Sequence, residues 1–462
     1  MGRTLGLAGL VCILAAAVAA ATLTPAAWAQ PSAAGPPMGA RGSVHEGVAS
    51  CAGSTCHSRP VASGLVVRQN ELITWQDPHS DAGAHSRAWR VLTQPRAQAI
   101  ATRLSLGPAQ NAQACLSCHA EPVAGGQKGA RFQVSDGIGC EACHGGSGGW
   151  IASHYTVGAT HAANISRGMV ALDDPKVRAS RCLDCHFGGA GANQFVTHQL
   201  MAAGHPRLSF ELDLFTSLQK HHDIDADYLS RHKASAGAIK TWAVGQAMAL
   251  DRSLTLFGPR HSGGAFPELV FFDCQSCHRT ITEDPKPKLT LEHNPARPIP
   301  LGTPPFNDEN MIMLSAAAKV AAPALSAKFE AESRAFHESL AQNGAASGQR
   351  ARALAGTSRA LAEAFAARSF SRADTLAIFQ AVLSGEGAHR YTDFAGASQA
   401  VMAADTLLDA LVAQGGLDRA AAARLRPDLD RAYRAVRDPN AFQAAEARAA
   451  LEQAAQKVRA LQ

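Results

Sequence analysis

Residues 115–119 read CLSCH, and the chain repeats that arrangement as CEACH at 140–144, CLDCH at 182–186 and CQSCH at 274–278. A longer version, CAGSTCH, occupies 51–57, with four residues instead of two between its cysteines. Cys-x-x-Cys-His is the attachment signature of c-type haem: the thiols form thioethers to the porphyrin edge and the histidine sits beneath the iron. Other uses of a CxxC pair fit poorly. Zinc knuckles take such pairs two at a time, and five is odd; a redox dithiol normally occurs once, near a βαβ pattern. Histidine fills 19 of 462 positions. Its chance placement behind all five pairs is on the order of one in ten million. The spacing therefore predicts five covalent haem c groups, tethered by Cys51 and Cys56, Cys115 and Cys118, Cys140 and Cys143, Cys182 and Cys185, and Cys274 and Cys277. His57, His119, His144, His186 and His278 are the expected proximal ligands.

Ten of the eleven cysteines lie in these motifs, and the eleventh, Cys12, lies in an N-terminal segment. That segment has Arg3, an apolar run from Leu5 to Ala21 and the small-residue end Ala27-Trp28-Ala29, which reads as a signal peptide over 1–29. Export agrees with haem attachment outside the bacterial cytoplasm and predicts a periplasmic protein. No cysteine is left for a disulfide, so stability is expected from packing on the cofactors. Without Arg3 the chain has 42 basic and 38 acidic residues, or +4. Five haems with ionised propionates shift that to about −1 oxidised and about −6 reduced. The basic sequence is thus no argument for nucleic acid or lipid.

Residues 30–43 are rich in Pro, Ala and Gly, a flexible lead-in. Residues 44–300 hold every motif and all histidines except His337 and His389, and read as a pentahaem domain. Short helical runs, such as Ile100–Leu106 and Val196–Ala203, alternate there with Gly- and Pro-punctuated loops. A Pro-rich passage from Pro285 to Pro305 leads into an Ala-rich region, 307–462. Val401, Ala404, Leu408, Leu411 and Val412 follow helical spacing there, and Gly415-Gly416 stops the helix. Asp438-Pro439 looks like an N-cap with proline at the first helical position. The fold class predicted is mainly α. A multihaem cytochrome c fold of short helices and long loops wraps the haems, and a C-terminal bundle of four to six amphipathic helices follows. The bundle is expected to close one side of the haem array or to form a homo-oligomer interface, with His337 and His389 facing solvent.

A sixth ligand on each iron suits electron transfer, whereas an open position suits catalysis. Candidates are His45, His79, His85, His154, His161, His198, His205, His221, His222, His232, His261 and His293. His198 and His205 are seven apart, so an unbroken helix would point both the same way, about 10.5 Å apart. His154 is too close to the third motif to share its iron and is expected to reach an adjacent haem; His161 presents a similar case. His79 and His85 are read as one ligand and one passenger, and His221 and His222 as a polar loop near an opening.

The residues resemble a family of exported multihaem cytochromes related to the cytochrome c-554 and hydroxylamine oxidoreductase lineage. The resemblance rests on CAGSTCH, on HSRAWRVL at 85–92, on DGIGCEACHGG at 136–146 with WIASH, and on THAANI, RCLDCHFG, VTHQLMAAGHPRLSFEL and FFDCQSCHR. It covers roughly residues 44–280. It implies His45, His85, His154, His161 and one or both of His198 and His205 as distal ligands. Pentahaem nitrite reductases of this lineage place lysine after one CxxC pair, but all five pairs here carry histidine. Hydroxylamine oxidoreductases crosslink a tyrosine to their catalytic haem and have more haem sites.

Two functions remain in view. The first is an electron carrier that passes electrons through five haems between periplasmic or membrane-bound redox proteins. The second is an oxidoreductase acting on nitrite, hydroxylamine or sulfite at a haem with an open position. His221, His222, Arg207 or Arg260 would then line its pocket. The surplus of histidines favours the first, and no residue is assigned a catalytic role.

Overall fold

Within the four CxxCH motifs the two cysteines and the histidine stand at positions i, i+3 and i+4, which share one face of a helix. The fold exploits this directly. Helices Gln113–His119, Cys140–His144 and Pro175–His186 each end on a motif histidine. The wider first motif cannot share a helical face, and it is instead a run of turns closed by His57 N–H to Cys51 O at 3.3 Å. Gly145, which follows the third motif, has φ +81°, and a Cβ there would lie 2.8 Å from Gly168 O. Glycine ends this helix because no other residue fits the turn.

The protein is described here from a computed structural model. It describes residues 43–460 apart from 62–68, 124, 190, 192, 223–235, 262–267, 279–293, 295, 300, 301, 343 and 386. The segment 1–29 read as a signal peptide, all but the last residue of the lead-in, His232 and His293 lie outside the described residues, as do the side chains of Arg260 and His261. The chain is mainly helical, which agrees with the mainly α fold class expected from the sequence. Up to His222 it is built of helices no longer than 12 residues and one parallel pair of two-residue strands, Val44–His45 against Gln127–Lys128.

Helix Ala238–His261 then buries Trp242, Val244, Leu250, Leu254 and Phe257. It packs on Gly344–Ala367 and on Pro175–His186, the helix that carries the fourth motif. Seven helices follow among the described residues: Glu309–Ala321, Pro323–Ser339, Gly344–Ala367, Arg372–Leu383, Phe394–Ala413, Arg419–Ala435 and Ala444–Ala460. That exceeds the expected four to six, in part because Pro323 splits one Ala-rich stretch into two helices. Gly415 and Gly416 do stop Phe394–Ala413, with Gly416 N–H returning to Leu411 O at 2.7 Å. Asp438 caps only the short turn Pro439–Ala441, and the last helix starts at Ala444.

One apolar core runs from Phe195 to Val458 and does not stop at the Pro-rich passage. Arg297, within that passage, is buried and donates to Asp308 at 3.1 Å and Asp393 at 2.7 Å. The fifth motif is anchored to the same core: Phe271 and Phe272 precede Cys274, and Phe257, Phe271, Phe306 and Phe336 pack edge-to-face about Phe257. Asp273 N–H to Pro305 O at 2.8 Å and Asn307 N–H to Phe271 O at 2.9 Å hold the two segments together. His337 departs from expectation. It is buried beside Phe336 and donates through Nδ1 to Ser333 O at 2.9 Å, and burial pushes its pKa down to about 3. The apolar face of its helix takes it inward. His389 is exposed.

Candidate haem sites

Every motif histidine faces a second histidine. The ring centroids are 6.3 Å apart for His57 and His154, 6.4 Å for His119 and His205, 6.1 Å for His186 and His85, and 6.0 Å for His278 and His198. His144 faces two: His221 at 6.4 Å and His222 at 6.1 Å. A metal–imidazole bond is about 2 Å and a ring centroid lies ~1 Å behind its nitrogen, so two imidazoles trans on one metal put their centroids about 6 Å apart. The ligating nitrogens of His144, His221 and His222 all lie within 4.8 Å of one another. No hydrogen bond joins the paired rings, so the spacing suits a group held between them and the residues fit a bis-histidine haem.

The far nitrogens are fixed as well. Nδ1 of His119 bonds Ala88 O at 2.9 Å, that of His154 Ile151 O at 2.6 Å, that of His205 Pro206 O at 2.8 Å and that of His221 Gln219 O at 3.0 Å. Nδ1 of His57 bonds a carboxylate, Glu71, at 3.2 Å. A backbone carbonyl on Nδ1 fixes the proton there and leaves Nε2 as the metal-binding lone pair. Burial also lowers basicity. It pushes His144 down to about 3, with His222, His221 and His57 adding to it, and His186 and His221 down to about 4. His85, His154 and His205 are lowered by burial too. A neutral imidazole is the form that ligates metal.

Local structure explains how these partners are aimed. Helix Pro95–Arg103 supplies Arg96, which donates to Gly204 O at 2.8 Å, and Arg103, which donates to Ala203 O at 2.7 Å. These two arginines clamp the turn that presents His205. Thr197 caps helix His198–Ala202, and Glu268 accepts the His198 N–H at 2.8 Å. The helix ends at Ala202 and Gly204 takes φ +115°, so His198 and His205 do not share an unbroken helix. The turn sends them to different partners, His278 and His119.

Two expected ligands stand opposite no motif histidine. His45 is buried, and its Nδ1 pairs with Glu121 at 2.6 Å. Nearby Glu141, inside the third motif, accepts N–H groups of Glu46 at 2.9 Å, Gly47 at 2.7 Å and Ser147 at 2.6 Å. This polar knot seats the entering chain on the third motif. His161 is exposed, and its Nε2 is taken by Asp173 at 3.1 Å. Neither ring faces a motif histidine. The tandem His221-His222 differs in the opposite sense: instead of a polar loop at an opening, both rings lie against His144. His79 is exposed and its backbone N–H bonds Asp77 at 2.9 Å, which leaves His85 as the member of that pair facing a motif. Glu71 and the arginine clamp had no sequence signal.

The motifs also meet each other. The Cys51 thiol interacts with Cys140, which lowers Cys51 while raising Cys140. Cys118 and Cys185 are joined the same way, with Cys118 lowered and Cys185 raised. Motif one thus touches motif three, and motif two touches motif four. At the fifth motif, Arg207 donates to Cys274 Sγ at 3.4 Å.

Residues 51–145, which carry the first three motifs, match the family described as cytochrome c554 and c-prime. No curated protein and no solved structure matches the chain. Residues 51–145 are thus similar to the cytochrome c554 family, and that match supports a c-type cytochrome of electron transfer.

Proposed function

We propose that this chain binds five covalent haems, each with histidine on both sides of its iron, and relays electrons through them between redox partners in the periplasm. One observation carries the reading: all five motif histidines face another imidazole at the spacing of a bis-histidine site. A haem held by such a pair of imidazoles would supply a low-potential one-electron centre.

The residues divide the work. The ten motif cysteines tether the groups, and the facing histidines fill the positions where a substrate or water would otherwise enter. Hydrogen bonds at Nδ1 hold the His154, His205, His221 and His222 rings at fixed angles. The thiol contacts Cys51–Cys140 and Cys118–Cys185 bring the tethers of motifs one and three, and of two and four, within touching distance. The arrangement supports two close pairs of haem, with the fifth seated against the helical core through Phe271 and Phe272.

The signal-peptide reading of residues 1–29 supports the periplasmic assignment, and membrane-bound or soluble redox proteins on that side are the proposed partners. Among the described residues no helix is long and apolar enough to cross a membrane. Intact mass of the purified holoprotein should show five added haems, and its ferric EPR spectrum should be wholly low-spin. A high-spin signal of one haem's intensity would refute the carrier reading and favour an oxidoreductase with an open iron.

A further inference from the structure

Glu71 begins helix Glu71–Gln76 and stands between two of the proposed haem sites. Its Oε2 accepts from His57 Nδ1 at 3.2 Å, and its Oε1 accepts from His222 Nδ1 at 3.3 Å. The helix is pinned in place by Leu72 N–H to His57 O at 3.0 Å and by burial of Leu72 and Trp75. The Glu71 side chain is 18% exposed. His57 belongs to the first motif, and His222 faces His144 of the third.

We infer that Glu71 is a positioning residue shared by two haem centres, holding both imidazoles by Nδ1 and selecting His222 over His221 as the sixth ligand of the third iron. The inference rests on the haem reading above. The two candidates differ in what holds them. His221 gives its Nδ1 proton to a neutral carbonyl, Gln219 O, whereas His222 gives it to a carboxylate. A carboxylate draws that proton more strongly, which puts more electron density on Nε2 and makes it the better metal donor. The His222 ring is also the closer to His144, 6.1 Å against 6.4 Å. His221, 4.1 Å from His222, is then a neighbour of the site and not its ligand.

The same carboxylate acts on His57, the proximal ligand of the first iron. Stronger donation favours the ferric state, so one side chain holds down the potentials of two centres at once.

The test uses the full holoprotein, with five haems per chain verified by mass for every variant. In a spectroelectrochemical titration, Glu71→Gln should raise two of the five midpoint potentials and leave three in place. Unchanged potentials, or a rise in only one, overturn the shared role. For ligand selection, His222→Ala should convert one ferric haem to high-spin, while His221→Ala should leave all five low-spin. A high-spin signal from His221→Ala, or a His222→Ala spectrum identical to wild type, overturns the selection. A wild-type protein without five haems instead sinks the underlying reading, and the two failures are thereby told apart.

Discussion

The rings of His57 and His154 lie nearly parallel, 9° between planes, and no other facing pair is so aligned. His119 and His205 cross at 80°, His144 and His222 at 88°, and His85 and His186 at 73°, while His198 and His278 sit between at 35°. Ring orientation sets the anisotropy of a low-spin ferric haem: parallel imidazoles split the iron d orbitals, and perpendicular ones leave them nearly degenerate.

The ferric EPR spectrum should therefore resolve into classes. One ordinary rhombic signal belongs to the first motif, and three signals with large maximal g belong to motifs two, three and four. His154→Ala should remove the rhombic component and add a high-spin one. Loss of a large-g signal instead would show that His154 faces a different iron in solution.

Substitution of partners should separate ligands from bystanders. His85→Ala, His198→Ala and His205→Ala are each expected to turn one haem high-spin. His45→Ala and His161→Ala should leave the spectrum low-spin. His45→Ala still destabilises, because Glu121 would remain buried without its partner, at a cost of roughly 1–3 kcal/mol. Thermal unfolding followed at the Soret band, alongside EPR, checks both.

Phe306 is fully buried and packs against Phe257 at 5.5 Å and Phe336 at 4.9 Å. Phe306→Ala should cost about 3–5 kcal/mol through lost burial and the cavity left behind. The damage should reach the fifth site first, since Phe271 and Phe272 share this cluster. A denaturant titration in which the fifth haem signal changes before the others is the expected outcome.

Glu211 is buried at the N-terminus of helix Leu212–Leu218, where it accepts from the Asp213 and Leu214 N–H groups and from Thr406. Burial pushes its carboxyl up to about 7, Asp213 adds to this, and the hydrogen bonds oppose it. Its folded pKa thus exceeds the ordinary value near 4.5. The folded state binds the proton more tightly, so this contribution to stability is full below about pH 4.5 and is lost as pH rises through about 7. The difference is about 3 kcal/mol. Glu211→Gln should flatten the decline in Tm between pH 5 and 8. An unchanged slope would count against the buried carboxyl as its source.

What could be read in advance follows from where the information lies. A haem attachment site is written within five consecutive residues, because the thiols and the imidazole share one helical face. Its partner histidine is set by tertiary folding. His85 reaches His186 and His198 reaches His278 across long stretches of chain, and no local spacing encodes that. The helical argument for His198 and His205 does not hold, since Gly204 breaks the helix between them, although each ring stands opposite a motif histidine. His45 and His161 carried the same chemistry, yet the fold places neither ring opposite a motif histidine. The Gly415-Gly416 stop was legible because it depends on local backbone geometry. The burial of His337 was not, because it depends on which face of a helix meets a core assembled from distant segments.

The contacts between Cys51 and Cys140, and between Cys118 and Cys185, constrain the order of biogenesis. In an oxidising compartment, neighbouring thiols that reach this arrangement while still unmodified are poised to close as disulfides. Thioether formation must therefore come first, on an open chain, with compaction afterwards. Apoprotein that collapsed early would present thiol pairs able to cross-link, and a reductant would have to reopen them before haem could be attached.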